Sequence, residues 1–275
     1  MMMAATIKTP LNAGQQAYTT QGQYTFTVPA GVTAISVVAI GSGSNNLQPE
    51  SGEYGGNLAY TNNYSVTPGQ QYTVKVGSQG NPPSYMLLSG QEYPPTYLVM
   101  GNNDRYTNEN YGDVIYYGGN TNSINYGYPG GGGAAGYAGN GGRGGAGAQP
   151  YYSGGNGVNA ATNSGGGGGG GGGGVEVGVQ IIDDVEYPSY AASHGGGGGG
   201  TGILGIGSTG AGGLGQSGAT PGNGGGGGSG GTSGNGTAGG LYGGARGGGS
   251  GASGEGAVRI IWGTGRSYPS NAANV

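Results

Sequence analysis

Ten consecutive glycines, residues 165–174, interrupt this chain near its middle, and further unbroken runs occupy 130–133, 195–200 and 224–228. Residues 130–256 hold 59 of the 78 glycines in a chain of 275. Such a segment has no side chains to bury, and glycine weakens both helix and strand interiors. Ordering its backbone costs about 1–2 kcal/mol per residue. Two states remain for it: a flexible linker, or a structure held together by backbone hydrogen bonds alone.

Periodicity favours the second. In residues 139–147 the side chains Asn140, Arg143 and Ala146 recur every third position, and Ser229, Thr232, Asn235, Ala238 and Leu241 repeat the spacing further on. Three is the period of a polyproline-II-type helix, which rises about 3.1 Å per residue and makes no internal hydrogen bonds, so its backbone groups must be satisfied by neighbouring helices. A helix inside such a stack must be glycine throughout, which assigns Gly165, Gly169 and Gly174 a structural role. A helix on its surface carries one side chain per turn. Ten residues span about 31 Å. Tracts at 130–147, 165–174, 195–215, 222–236 and 239–256 imply at least five passes, with 148–164 and 201–222 as reversing loops.

The flanks read as antiparallel β-structure. Residues 24–28 alternate, 29–31 turn, 34–40 form a β-branched run, and 58–66 follow as a third strand; the turn at Pro68-Gly69 leads into 71–77, where Tyr72, Val74 and Val76 share one face. Residues 81–129 are rich in Tyr, Asn and Pro and read as ordered loop with a strand pair at 97–100 and 114–117. Residues 257–262 return to strand, with Trp262 as core and Arg259 and Arg266 holding carboxylates or carbonyls. The expected fold class is mainly β with essentially no α-helix: an antiparallel unit from the N-terminal strands plus the C-terminal strand, with a polyglycine-II stack inserted. Its parts are an extended docking arm (1–22), the N-terminal β-unit (23–80), the Tyr/Asn-rich loops (81–129), the glycine region (130–256), and the closing strand and tail (257–275).

Composition narrows function. No Cys and a single His leave no disulfide framework or thiolate site and no His-rich metal site, so no cofactor or metal is expected. Seven Lys and Arg against eleven acids provide no basic stripe for nucleic acid. The first eight residues lack a signal-peptide apolar run, and no stretch approaches the ~20 apolar residues of a membrane helix. Matches to Gly-x-Gly-x-x-Gly are numerous but expected by chance at this glycine content, and none joins a strand to a helix. No enzyme chemistry is expected.

One insert stands out. Residues 175–194 lack the surrounding glycine runs and contain an acidic cluster, Asp183, Asp184 and Glu186, with His194 downstream. Adjacent carboxylates on a strand point apart, which disfavours a hydrolase pair across a sugar; calcium binding and a solvated loop are the alternatives. The insert reads best as an exposed hairpin for recognition, because tyrosine offers a large amphipathic surface at low entropic cost. The receptor-contact candidates are Tyr151, Tyr152, Ile181, Asp183, Asp184, Glu186, Tyr187, Tyr190 and His194.

Residues 24–33 and 64–77 resemble the glycine-rich domain of bacteriophage tail-fibre and other virion proteins, and 256–269 resemble the C-terminal signature of structural proteins from phages of marine cyanobacteria. The glycine region is similar in style to the tip adhesin of T-even-like long tail fibres. The resemblance implies a virion protein that attaches to a host surface glycan or outer-membrane protein, docks on other virion proteins through residues 1–22, and forms either a monomeric tip or a homotrimeric fibre. A purely structural head fibre, collar fibre or decoration protein is the rival reading. An ice-binding protein is a third, which the scattered threonines disfavour.

Overall fold

The computed structural model describes residues 13–44, 53–79, 83–90, 97–103, 110–121, 127–229, 231–248 and 251–274. Tyr93, Tyr106 and Tyr126 lie outside them, as do residues 1–12 of the expected docking arm. Among the described residues the regular elements are all strands: β1 (Gly14–Tyr18), β2 (Gly22–Thr27), β3 (Ala34–Ile40), β4 (Leu58–Ser65), β5 (Gln71–Val76), β6 (Ser84–Leu88), β7 (Tyr97–Gly101), β8 (Val114–Tyr116), β9 (Val175–Ile182), β10 (Val185–Ala192) and β11 (Ala257–Trp262). They build three antiparallel sheets, ordered β1-β11-β3-β4-β8, β2-β5-β6-β7 and β10-β9.

The first two sheets form a sandwich. Alternating residues of β5 (Tyr72, Val74, Val76) face Phe26, Met86 and Val99 on their own sheet and Ile35, Val37, Val258 and Ile260 across the core. The opposite face of the first sheet is buried too: Val38, Ile40, Leu58, Tyr60 and Ile261 pack on Ala135, Tyr137, Tyr268 and Ala272. Burial on both faces explains why β3 reads as a continuous apolar run rather than an alternating one. The closing strand β11 lies between β1 and β3, pairing with both.

Three expectations need correction. Residues 14–18, assigned to an extended arm, form β1 and pair with β11. Strands β7 and β8 are not partners: β7 pairs with β6 and β8 with β4, in different sheets. Strand β6 was missed because the prolines at 82 and 83 precede it and only five residues follow before the next turn.

The glycine region is a stack in which hydrogen bonds recur every third residue. Along 165–174, the N–H groups of Gly167, Gly170 and Gly173 reach the carbonyls of Ala134, Gly131 and Tyr128; those of Gly168, Gly171 and Gly174 reach Gly226, Asn223 and Thr220; those of Gly169 and Gly172 reach Val158 and Gly155. Its carbonyls accept in the same rhythm from Gly142, Gly145 and Ala148, from Gly199, Gly196 and Ser193, and from Gly210, Gly213 and Gln216. Six neighbouring passes therefore surround this helix, three accepting from it and three donating to it, which is the arrangement of polyglycine II. Its glycines are needed because a Cβ at Gly169 would fall under 3.0 Å from the backbone of Arg143 and Gly144.

Surface passes carry the side chains, as the period of three requires: Asn140 and Arg143 are exposed. The number of passes exceeds the minimum. Residues 130–147 contain two, reversing where the Gly136 N–H meets the Gly139 carbonyl at 2.9 Å, and 195–215 also contains two. The expected loop 148–164 contains a further pass at 154–160. The second periodic run is not one helix: Asn235 and Ala238 exchange two 3.0 Å hydrogen bonds in a tight reversal, and Ser229 is buried against the Gly165 carbonyl at 2.7 Å.

Segments 53–57 and 117–120 of the sandwich run along the stack as extra neighbours, through Gly119 N–H to Gly133 O and Ala135 N–H to Gly56 O. A buried ion pair, Arg246 Nε to Glu53 Oε1 at 2.7 Å, pins this junction. Burial pushes the Glu53 carboxyl up to about 7, against the lowering pull of Arg246.

Candidate attachment surface

The hydrogen-bond ladders fix which loops share an end of the stack. Gly136, Ala160, Gly166, Gly200, Gly210 and Gly228 lie toward one end, whose reversals contribute Tyr137 and Ile203 to the core against the first sheet. Ala148, Gly154, Gly174, Ser193, Gln216 and Thr220 lie toward the other. The reversal at 149–153 and the hairpin of β9 and β10 thus emerge together at the end remote from that core.

The hairpin closes through Asp183 and Asp184, both with positive φ (50° and 61°), the geometry of a two-residue type I′ turn that acidic or amide side chains tolerate. Eight residue pairs follow from Val185↔Ile182 to Ala192↔Val175. Opposite residues share a face, so Val175, Val177, Val179, Ile181, Pro188 and Tyr190 lie on one side and Gln180, Ile182, Val185 and Tyr187 on the other. Neither side is covered: Val179 and Ile181 are 64% and 66% exposed, and Tyr187 is 49% exposed. A sheet of two strands is marginal without a packing partner. Its foot is firm, because Val175 is buried and Ser193 N–H bonds the Gly174 carbonyl.

Most of the sequence-derived candidates gather here. Tyr151 and Tyr152, 80% and 69% exposed, stand on the neighbouring reversal, and Ile181, Asp183, Asp184, Glu186, Tyr187 and Tyr190 are exposed along the hairpin. His194 is the exception: it sits beneath the hairpin, half-buried, with its ring stacked on Tyr128 at 5.6 Å. Its Nδ1 is buried without a hydrogen-bond partner among the described residues, so it reads as part of the foot rather than of the contact surface. Among the described residues no three of His, Cys, Asp and Glu converge as a metal site.

Of the structural candidates, Gly174 lies at this end, directly before β9, and the others stand apart from it. Gly165 has a positive φ of 68° at the start of its pass. Arg259 is fully buried and holds carbonyls, as expected: Nη1 donates to Ala272 O at 2.5 Å and Ile203 O at 3.1 Å, while Nη2 donates to Gln15 Oε1. It thereby ties the tail, the 201–205 reversal and β1 to the first sheet. Arg266 donates to the carbonyls of Gly14 and Ala273. Trp262 is only partly buried, lying over Gly14 and 6.1 Å from Phe26.

Sequence reasoning missed one device. Asn156 and Asn159 were read as loop side chains, yet their Oδ1 atoms accept the N–H groups of Gly215 (2.9 Å) and Gly212 (2.8 Å). At the rim, where no further backbone is present, an asparagine every third residue supplies the missing acceptors. The spacing of three was the available signal. No protein-family model and no curated protein matches this chain.

Proposed function

We propose that this protein is a non-enzymatic component of a phage virion, a tail-fibre or fibre-tip adhesin that presents the β9–β10 hairpin and the Tyr151-Tyr152 reversal to the host cell surface. The observation that carries this reading is the two-sided exposure of apolar and tyrosine side chains on a hairpin that, among the described residues, pairs with no other sheet. Exposed apolar surface of this kind is costly in a solitary protein and marks a place of contact. The stack supports the role mechanically, because its backbone network holds the foot while loops at the end vary without disturbing any hydrogen bond inside. The partner is a surface glycan or an outer-membrane protein of the host.

Replacing residues 175–192 with a short Gly-Ser turn tests the reading. The expected outcome is an unchanged melting temperature with loss of attachment to host cells. Retained attachment refutes the adhesin role and assigns the hairpin to contacts within the particle, as in a head fibre or decoration protein. Antibody against the hairpin, imaged on intact particles, then gives the position: fibre ends for the adhesin, head or collar for the alternative.

A further inference from the structure

Of the hairpin's two outer edges, one is open and one is closed. Across a two-residue turn, Ile182 and Val185 form a hydrogen-bonded pair, and bonded and non-bonded pairs alternate from there to the foot. Val177, Val179 and Ile181 fall at non-bonded positions, so their N–H and C=O groups point away from β10. Among the described residues no other strand meets them. On β10 the outward position opposite Val179 is Pro188, which has no N–H to offer, a device by which edge strands refuse a further partner. Strand β9 contains no proline and one charge, Glu176.

Gly178 adds an independent sign. A glycine inside a strand weakens it and marks a place where another backbone approaches closely. Within the chain, a Cβ at Gly178 would meet only the Ser189 hydroxyl, the end of a short rotatable side chain. No backbone of this chain requires the glycine, so the approaching backbone belongs to another molecule.

We propose that the open edge of β9 pairs antiparallel with β9 of a second copy of this chain, giving a four-stranded sheet ordered β10-β9-β9-β10. A strand edge is complementary to itself about a two-fold axis, and Pro188 at both outer margins stops addition at two copies. Three or more strands also replace a two-stranded sheet that is marginal by itself. Placing the axis at Val179 sets Val177 opposite the partner's Ile181, so that β-branched side chains of both copies line one face. Each tip then ends beside the foot of the other hairpin, clear of its stack. Charge selects the same orientation: antiparallel pairing holds the acidic tips about 30 Å apart, roughly nine residues at ~3.4 Å, whereas parallel pairing would bring Asp183, Asp184 and Glu186 of both copies together. The pairing uses a backbone edge and leaves both faces exposed, so it stands independently of the attachment role. So short an edge buries less than the ~1,000 Å² of a stable complex, and the dimer is weak, with Kd of about 100 µM.

Sedimentation of the full chain from about 10 µM to 1 mM is expected to show a monomer–dimer equilibrium around that Kd. Val177→Pro removes an outward N–H without touching the bonds to β10, and is expected to abolish the dimer with melting unchanged. Pro188→Val leaves the β9 edge intact and opens the other, and is expected to carry assembly past the dimer into larger species. The chain has no cysteine, so Val179→Cys, on the axis, is expected to cross-link into a disulfide dimer under mild oxidation, and Val158→Cys, exposed on the stack, to remain monomeric. A monomer at every concentration overturns the proposal. So does a dimer that persists in Val177→Pro or after replacement of residues 175–192, a Pro188→Val protein that assembles no further than the parent, or equal cross-linking of the two cysteine variants. None of these readouts involves host cells, so failure here is distinct from failure of the attachment reading.

Discussion

Substituting valine at Gly169 tests whether the stack is a packed solid. The residue lies mid-pass, and its Cβ would meet the backbone carbonyl of Arg143 and the amide of Gly144, neither of which moves without moving a whole pass. Relief of the clash displaces Gly169 from two hydrogen bonds, its N–H to Val158 O at 3.0 Å and its carbonyl from Gly213 N–H at 2.8 Å. Each is worth a net ~0.5–1.5 kcal/mol. Overpacking adds ~1–3 kcal/mol, while the stiffer unfolded chain returns roughly 1 kcal/mol. The sum is a loss of about 3 kcal/mol, and at ~2–4 °C per kcal/mol for a protein near this size the melting temperature falls by about 10 °C. Differential scanning calorimetry of Gly169→Val reads this directly. Ala211→Val, at an exposed position of an adjacent pass, is the control and is expected to stay within about 0.5 kcal/mol of the parent. A Gly169→Val protein that melts with the parent refutes close packing.

Further outcomes follow from the junctions. Arg259→Ala leaves the carbonyls of Ile203 and Ala272 without their buried donor and is expected to cost about 3 kcal/mol in urea unfolding; Arg259→Lys restores little, since one ammonium cannot span the acceptors that the guanidinium fork reaches. Glu53 has a carboxyl raised from an ordinary 4.5 to about 7 in the folded protein, so folding retains a proton that the unfolded chain releases. That stabilisation is fully present below 4.5 and is lost as pH rises through 7, by about 3 kcal/mol at 1.36 kcal/mol per unit. Unfolding free energies measured between pH 4 and 8 are expected to fall across this window, and Glu53→Gln to flatten the slope. Asn156→Ala and Asn159→Ala remove acceptors from Gly215 and Gly212; amide exchange at those two glycines is expected to accelerate, with loss of ~1 kcal/mol each.

The sandwich strands were legible because their chemistry is local: alternation in residues 71–76, a β-branched run in 34–40, and turn residues between. The stack was legible through one number, the spacing of three between Asn140, Arg143 and Ala146, and through the demand that an enclosed pass be glycine at every position. What escaped the sequence is pairing. Nothing in 97–100 and 114–116 states that the two strands belong to different sheets, because partners are decided by the closure of the sandwich rather than by either segment. The pass at 154–160 was hidden because rim positions tolerate side chains, so Asn156, Val158 and Asn159 look like a loop until their backbone neighbours are known. The hairpin was readable from its contrast with the surrounding glycine, but His194 was grouped with it by proximity in sequence alone. The structure places it in the foot, stacked on Tyr128.

Amide hydrogen exchange resolved along the glycine region tests the central claim most directly, because a hydrogen-bonded stack and a solvated linker differ in every amide. The account predicts that Gly167 to Gly174 and Gly196 to Gly200, enclosed by neighbouring passes, exchange among the slowest in the protein, at rates comparable with β3 and β11, while the exposed tip at Asp183 and Asp184 exchanges fast. Exchange of the glycine amides at the rate of an unstructured peptide, with protection confined to the sandwich, would contradict it.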